Sequence, residues 1–230
     1  MKAIVFDLDN TLVDFMGFKE KAVKASAEAM VAAGLEGSPE EIAKGIFDVY
    51  WDTHIENPEI FQDYLMGKLG SVDYKYVAAG IRAYRQVEFS ELKTYEGVKE
   101  TLQSLRDSGL TIGILTDARA LKAWFRLIYL GLEDEFDFVL SFTDTGVRKP
   151  ESKAFKAAIE KLRESLPDIT PEEILMVGDS YTRDILGAKK AGMKAAIAKY
   201  GATDEPCGVE PDFILNNITE LPELVKQENK

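Results

Sequence analysis

The sequence predicts an α/β fold: a parallel sheet core with helices on both faces, interrupted by an inserted all-helical domain. Three observations lead to it. Short apolar runs recur along the chain, each followed by a stretch of helical periodicity, which is the pattern of successive βαβ units. Residues 15–90 carry helical periodicity with no strand pattern among them. The first apolar run precedes that helical block and the others follow it. The expected division is therefore a core of residues 1–14 and 91–230, with an inserted helical domain of residues 15–90.

The elements follow in order. Ala3, Ile4, Val5 and Phe6 form a continuous apolar run, as in a strand buried on both faces, and Asp7-Leu8-Asp9-Asn10-Thr11 comes at once behind it. In residues 15–33, Phe18, Ala22, Ala25, Ala29 and Ala32 share one side of a helix that Gly34 ends. Ser38-Pro39-Glu40-Glu41 is a helix start, with a capping hydroxyl, proline in the first turn and acids at the positive end of the dipole. Further helices are expected to start at Asn57-Pro58-Glu59 and at Asp73. Beyond residue 90, helix and strand alternate. Residues 95–107 read as an amphipathic helix, 110–115 as a buried strand, 118–129 as helix and 136–140 as a third strand. A helix spans about 150–165, Thr170-Pro171-Glu172-Glu173 is a further capped start, and 174–177 is a fourth strand. Gly178-Asp179-Ser180 opens a helix reaching Ala191, followed by a fifth strand at 194–198, an edge strand at 212–215 and a last helix at 218–225.

Composition narrows the function classes. The 230 residues are 46% hydrophobic, enough to bury a full core. The formal net charge of −12 argues against a bare nucleic-acid or anionic-membrane surface. Cys207 is the only cysteine, which excludes an internal disulfide and a zinc–cysteine cluster. His54 is the only histidine, so no Ser-His-Asp triad forms without it. No apolar stretch approaches transmembrane length, and Asp7 and Asp9 break the N-terminal run that a signal peptide would need. A cytoplasmic protein is expected, and the sequence carries no signal for its oligomeric state.

The strand ends carry the chemistry. The first strand ends in Asp7 and Asp9, the second in Thr116 and Asp117, and the fourth in Gly178-Asp179-Ser180 with Asp184 beyond. Lys149, in Val147-Arg148-Lys149-Pro150, lies in the loop after the third strand. In a parallel sheet these loops share one edge, where α/β proteins bind ligands. Three or four carboxylates, a hydroxyl and one lysine would meet there. Taken singly, each group has a plainer reading: an Asx-rich turn for Asp7 and Asp9, a helix N-cap for Thr116, a surface lysine, a helix-surface acid at Asp184.

Together they resemble the haloacid dehalogenase superfamily, in the branch with a helical cap inserted after the first motif. Asp7-Leu8-Asp9-Asn10-Thr11 is similar to its DxDxT motif, Thr116 to its Ser/Thr motif, Lys149-Pro150 to its lysine motif, and Gly178-Asp179…Asp184 to its acidic motif, in family order along the whole chain. The resemblance implies a Rossmann-like core and a Mg2+-dependent phosphatase acting on a small phosphorylated metabolite, with neither nucleic acid nor membrane as partner. It implies Asp7 as nucleophile, Asp9 as general acid and base, and Lys149 as the cation that offsets charge on Asp7 and the phosphoryl group. Metal ligands would be Asp7, the Asp9 backbone carbonyl and Asp179, with Asp184 bound directly or through water. Leu8, Asp9, Thr116, Asp117 and Lys149 would surround the phosphate. Asp117 stands where many relatives carry Asn, and adds negative charge in place of an amide contact. In the cap, Phe15, Phe18, Trp51 and His54, with Met16 and Gly17, are candidates for choosing the substrate.

The same superfamily contains dehalogenases, which need no metal, phosphonate hydrolases, which use a cap lysine (Lys19, Lys21 or Lys24 here), and sugar-phosphate mutases. A non-catalytic phosphate-binding module is a further alternative. Asp9 and Asp179 argue against the dehalogenase, and an intact Asp9 against the binding module.

Overall fold

Strand β1, Ala3–Phe6, has all four side chains buried and lies at the centre of a six-stranded sheet. In this computed structural model, which describes residues 1–229, the other strands are β2 (Thr111–Leu115), β3 (Phe138–Leu140), β4 (Ile174–Gly178), β5 (Lys194–Ala198) and β6 (Phe213–Leu215). All pairings are parallel, in the order β3-β2-β1-β4-β5-β6. The chain winds outward through β2 and β3, then returns to β4 and winds out the other way. Such a reversal leaves a crevice at the carboxyl ends of the central strands. Phe6 pairs with Ile114 on one side and Val177 on the other, so the loops after β1, β2 and β4 leave the sheet side by side.

The chain divides into two compact units, Met1–Asp14 with Lys93 onward, and Phe15–Leu92. The second unit consists of helices α1 (Phe15–Ala32), α2 (Pro39–Asp52), α3 (Ile60–Leu69) and α4 (Tyr74–Glu91). Its core includes Val23, Met30, Ile42, Ile46, Phe61 and Leu65. Ser38 and Glu41 form a capping box at the start of α2, and Asp73 caps α4. Helix α4 runs past residue 90, which carries this unit to Leu92.

In the first unit, helices α5 (Val98–Asp107), α6 (Ala120–Leu130), α7 (Phe142–Thr145), α8 (Ser152–Arg163), α9 (Leu186–Lys190) and α10 (Leu221–Glu228) surround the sheet. Phe155, Ala158 and Leu162 of α8 pack with Ile185 and Ala188 against Val5, Met176 and Ile197, which is why these strands are apolar throughout. Several bounds differ from the sequence reading for local reasons. Helix α5 begins at Val98, because Gly97 takes a left-handed conformation and the Tyr95 N–H is drawn to Leu12 O. Thr170-Pro171-Glu172-Glu173 makes a single 3₁₀ turn before β4. Strand β3 starts only at Phe138, while the Asp137 carboxylate ties the neighbouring strand by accepting from the Ile112 N–H at 2.8 Å. No described helix is long and apolar enough to cross a membrane.

Candidate active site

The loop after β1 is held from several sides. The Asp7 N–H donates to Val177 O at 2.8 Å, and Leu8 O accepts from the N–H groups of Leu12 and Val13. Asn10 adopts the left-handed conformation that Asn tolerates better than most side chains, with φ 60°. The Tyr200 hydroxyl donates to Thr11 O at 2.8 Å. Gly201 lies so close that an added Cβ would be 1.7 Å from Asn10 O, a position only glycine can fill.

Lys149 joins the two acidic strands' ends. Its Nζ lies 2.6 Å from Asp7 Oδ1 and 2.6 Å from Asp184 Oδ1, with its side chain 1% exposed. Burial pulls the ammonium toward neutrality, but Asp184, then Asp7 and Asp117, outweigh it and hold the group more firmly protonated than a free lysine. The Lys149 N–H donates to Asp117 Oδ1 at 2.9 Å. Asp117 Oδ2 faces Arg183 Nη1 at 3.6 Å. Asp117, expected to add charge beside the phosphate, also anchors the lysine loop, its carboxylate meeting a backbone donor and a guanidinium.

Asp179 is fully buried. Its Oδ2 accepts from the Thr203 hydroxyl at 2.9 Å, and its Oδ1 lies 3.6 Å from Arg183 Nη2. Burial, then the charges of Asp7 and Asp184, push its carboxyl up to about 9. Asp184 is also raised, chiefly by burial, although Lys149 opposes the shift. Its Oδ2 accepts from the Ser180 N–H at 3.0 Å. A Cβ at Gly178 would lie 2.3 Å from the Asp184 carboxyl carbon, so glycine at the end of β4 makes room for that acid.

Residues Tyr181–Ile185 form a π-turn. Asp204 ties it down, accepting from Ser180 Oγ, the Tyr181 N–H, and the Thr182 N–H and hydroxyl, at 2.5 to 2.9 Å. Burial raises the Asp204 carboxyl, but these bonds, led by Thr182, leave it below its ordinary value.

Of the residues singled out from sequence, Asp7, Lys149, Asp179 and Asp184 form one buried cluster. Thr116 is buried at the end of β2, and its Oγ1 accepts from the Ala118 N–H at 3.1 Å, a turn-capping bond. The Leu8 side chain is fully buried, so only its backbone is left to contribute to the site. Asp9 Oδ2 lies 2.7 Å from Arg126 Nη1. In the helical unit, Phe15 and Phe18 are buried and meet edge to face at 5.6 Å, with Phe18 also against Tyr84. Trp51 is exposed and stacked on Phe47, and His54 Nδ1 accepts from the Glu56 N–H. Sequence reading missed Arg126, Arg183, Tyr200, Thr203 and Asp204.

One oxygen each from Asp7, Asp179 and Asp184 lie within 4.8 Å of one another. Three carboxyl oxygens at that spacing suit a hard divalent cation, which would displace the proton that burial favours on Asp179. Asp179 Oδ1, buried and without a hydrogen bond, fits the same reading.

The sequence pattern of the haloacid dehalogenase-like hydrolases matches residues 1–192. The chain belongs to this family. It is 34% identical to a glyceraldehyde 3-phosphate phosphatase of Pyrococcus furiosus, over 100% of this chain and 95% of that protein. It is 35% identical to a protein of the same name from Methanopyrus kandleri, over 99% and 98%. Among solved structures, a haloacid dehalogenase-type phosphatase from Thermococcus onnurineus superposes with a TM-score of 0.67 at 25% identity, covering 98% of each chain. The parallel sheet is thus that of a haloacid dehalogenase-like phosphatase.

Proposed function

We propose that this chain is a Mg2+-dependent phosphatase that hydrolyses a small phosphorylated metabolite through an aspartyl-phosphate on Asp7. The observation that carries the reading is Lys149 buried between Asp7 and Asp184, with Asp179 beside them. Lys149 offsets the charge of Asp7 at 2.6 Å and limits its repulsion of an incoming phosphate. As Asp7 attacks phosphorus, the bond to the leaving oxygen breaks, and that oxygen takes a proton from Asp9. Asp9 then takes a proton from the water that cleaves the acyl phosphate. Thr116 and the backbone of Leu8 and Asp9 bind the phosphoryl oxygens. Asp7, Asp179, Asp184 and the Asp9 carbonyl are the groups that would hold Mg2+, which supplies charge neutralisation for the transferring phosphoryl group.

The helical unit is the cap on this reading, and it selects the substrate. The relatives from Pyrococcus furiosus and Methanopyrus kandleri are named for glyceraldehyde 3-phosphate. That three-carbon phosphate heads the substrate panel. Phosphate release is measured from it, from other small phosphorylated metabolites and from p-nitrophenyl phosphate, with EDTA and with Mg2+ restored. Activity that requires Mg2+ supports the assignment. Activity undiminished by exhaustive chelation would overturn it.

A further inference from the structure

Arg126 lies in the middle of α6, between buried Ala123 and Leu127, with its side chain 6% exposed. A cation at such a position is costly. Withdrawing a guanidinium from water is unfavourable unless a well-placed anion meets it, and an apolar side chain would often serve stability as well or better. The helix face around it is already apolar, so packing alone does not call for arginine. What arginine alone brings is reach. From α6 its Nη1 comes within 2.7 Å of Asp9 Oδ2, across 117 residues of sequence.

We propose that Arg126 is a positioning residue for Asp9. This rests on the phosphatase reading, in which Asp9 exchanges the proton. Asp9 stands on a loop and its side chain remains 21% exposed, whereas the guanidinium that meets it comes from a packed helix and is itself 6% exposed. Arg126 fixes Oδ2, and with it the plane of the carboxyl group. Oδ1 then carries the proton that passes to the leaving oxygen as the phosphorus–oxygen bond breaks, and that returns from water in the second half-reaction. A group held in place by a rigid helix needs less reorganisation at each transfer than one on a free rotor.

The test compares kcat/KM on an alkyl phosphate, whose leaving group needs a proton, with that on p-nitrophenyl phosphate, whose leaving group departs without one. Arg126→Met should lose about tenfold more on the alkyl than on the aryl ester. Arg126→Lys, which keeps the charge and the fold, should recover part of that difference. In an Asp9→Asn background, adding Arg126→Met should leave the alkyl-to-aryl ratio where Asp9→Asn had put it. Equal losses on both esters, in Arg126→Met and in Arg126→Lys, would show a purely structural residue. So would an undiminished effect in the Asp9→Asn background. If Asp9→Asn itself fails to discriminate between the esters, the acid role of Asp9 falls and the proposal with it. If Asp9→Asn discriminates and the Arg126 variants do not, the proposal alone falls.

Discussion

Replacing Lys149 by methionine should destabilise the protein in a way that depends on pH. The lysine neutralises a cluster that holds Asp7, Asp179 and Asp184 together. At an effective dielectric constant of about 20, each ion contact of 2.6 Å corresponds to roughly 6 kcal/mol of attraction. Desolvation of the ammonium offsets much of this, and removing one partner of a buried pair leaves a net loss of about 3–5 kcal/mol. For a chain of this size, each kcal/mol moves the melting temperature by about 2–4 °C. Lys149→Met should therefore melt about 6–20 °C below the wild type at pH 8 without metal. Asp184 and Asp179 are already raised in the folded protein, and Lys149 lowers both. Without it they rise further. An acid whose folded pKa exceeds its unfolded value favours the fold below the unfolded value, and this contribution is lost as pH rises through the folded value. The gap between variant and wild type should accordingly be small near pH 4 and widen toward pH 9 through Asp184, with Asp179 adding to it only above about 9. Differential scanning calorimetry in EDTA across that range is the assay. A gap that stays constant with pH would refute the argument that Lys149 acts by compensating buried carboxylates.

Four further outcomes are expected. Asp7→Asn should abolish turnover yet melt as a folded protein; wild-type rates from a folded variant would remove Asp7 as nucleophile. If Asp179 holds Mg2+ as proposed, the metal displaces a proton from a carboxyl raised to about 9, and Mg2+ affinity should climb with pH, by up to about tenfold per unit. Calorimetric titration at pH 6, 7 and 8 checks this, and a flat profile contradicts it. Asp204→Ala strips four hydrogen bonds from the turn that carries Asp184 and should weaken Mg2+ binding by about 10–100-fold, read by the same titration. Trp51→Ala and His54→Ala should reorder preference among small phosphorylated metabolites more than they change the rate with p-nitrophenyl phosphate; an unaltered order would show that these two side chains do not select the substrate.

What the sequence revealed was whatever is local. Asp7, Thr116 and Asp179 each follow directly on an apolar run, so the strand and its terminal group are read together. Parallel topology then brings three separate strand ends to one edge. Arg126 could not be found that way. It stands between Ala123 and Leu127 on a periodic helix, where a long cation ordinarily reads as a stem lying over the core with its charge in water. Its partner is fixed only by the packing of α6. Thr203 and Asp204 lie in a segment without periodicity, and nothing local announces that one donates to Asp179 and the other holds Ser180 to Thr182. Asp117 was visible as an acid, but its direction was not. A carboxylate next to a phosphate site can face substrate or protein, and only the fold of the 147–150 loop decides which.

The spacing of the acidic motif gains its meaning from the π-turn. Asp179 and Asp184 are five residues apart, and on a regular α-helix two such positions fall on different faces, since 3.6 residues complete a turn. Here the Ile185 N–H reaches back five residues to Ser180 O and the Leu186 N–H to Tyr181 O, so the first turn is wider by one residue. That extra residue returns Asp184 toward β4, against Gly178 and within reach of Lys149. A π-turn has poorer hydrogen-bond geometry than an α-turn and needs outside support. Asp204 supplies it through groups at Ser180, Tyr181 and Thr182, the residues that the wider turn leaves short of helical partners. The glycine, the wide turn, the lysine and the distant Asp204 are thus one solution to a single problem: bringing a second acid of the same segment into a buried site without leaving its charge or its backbone unpartnered.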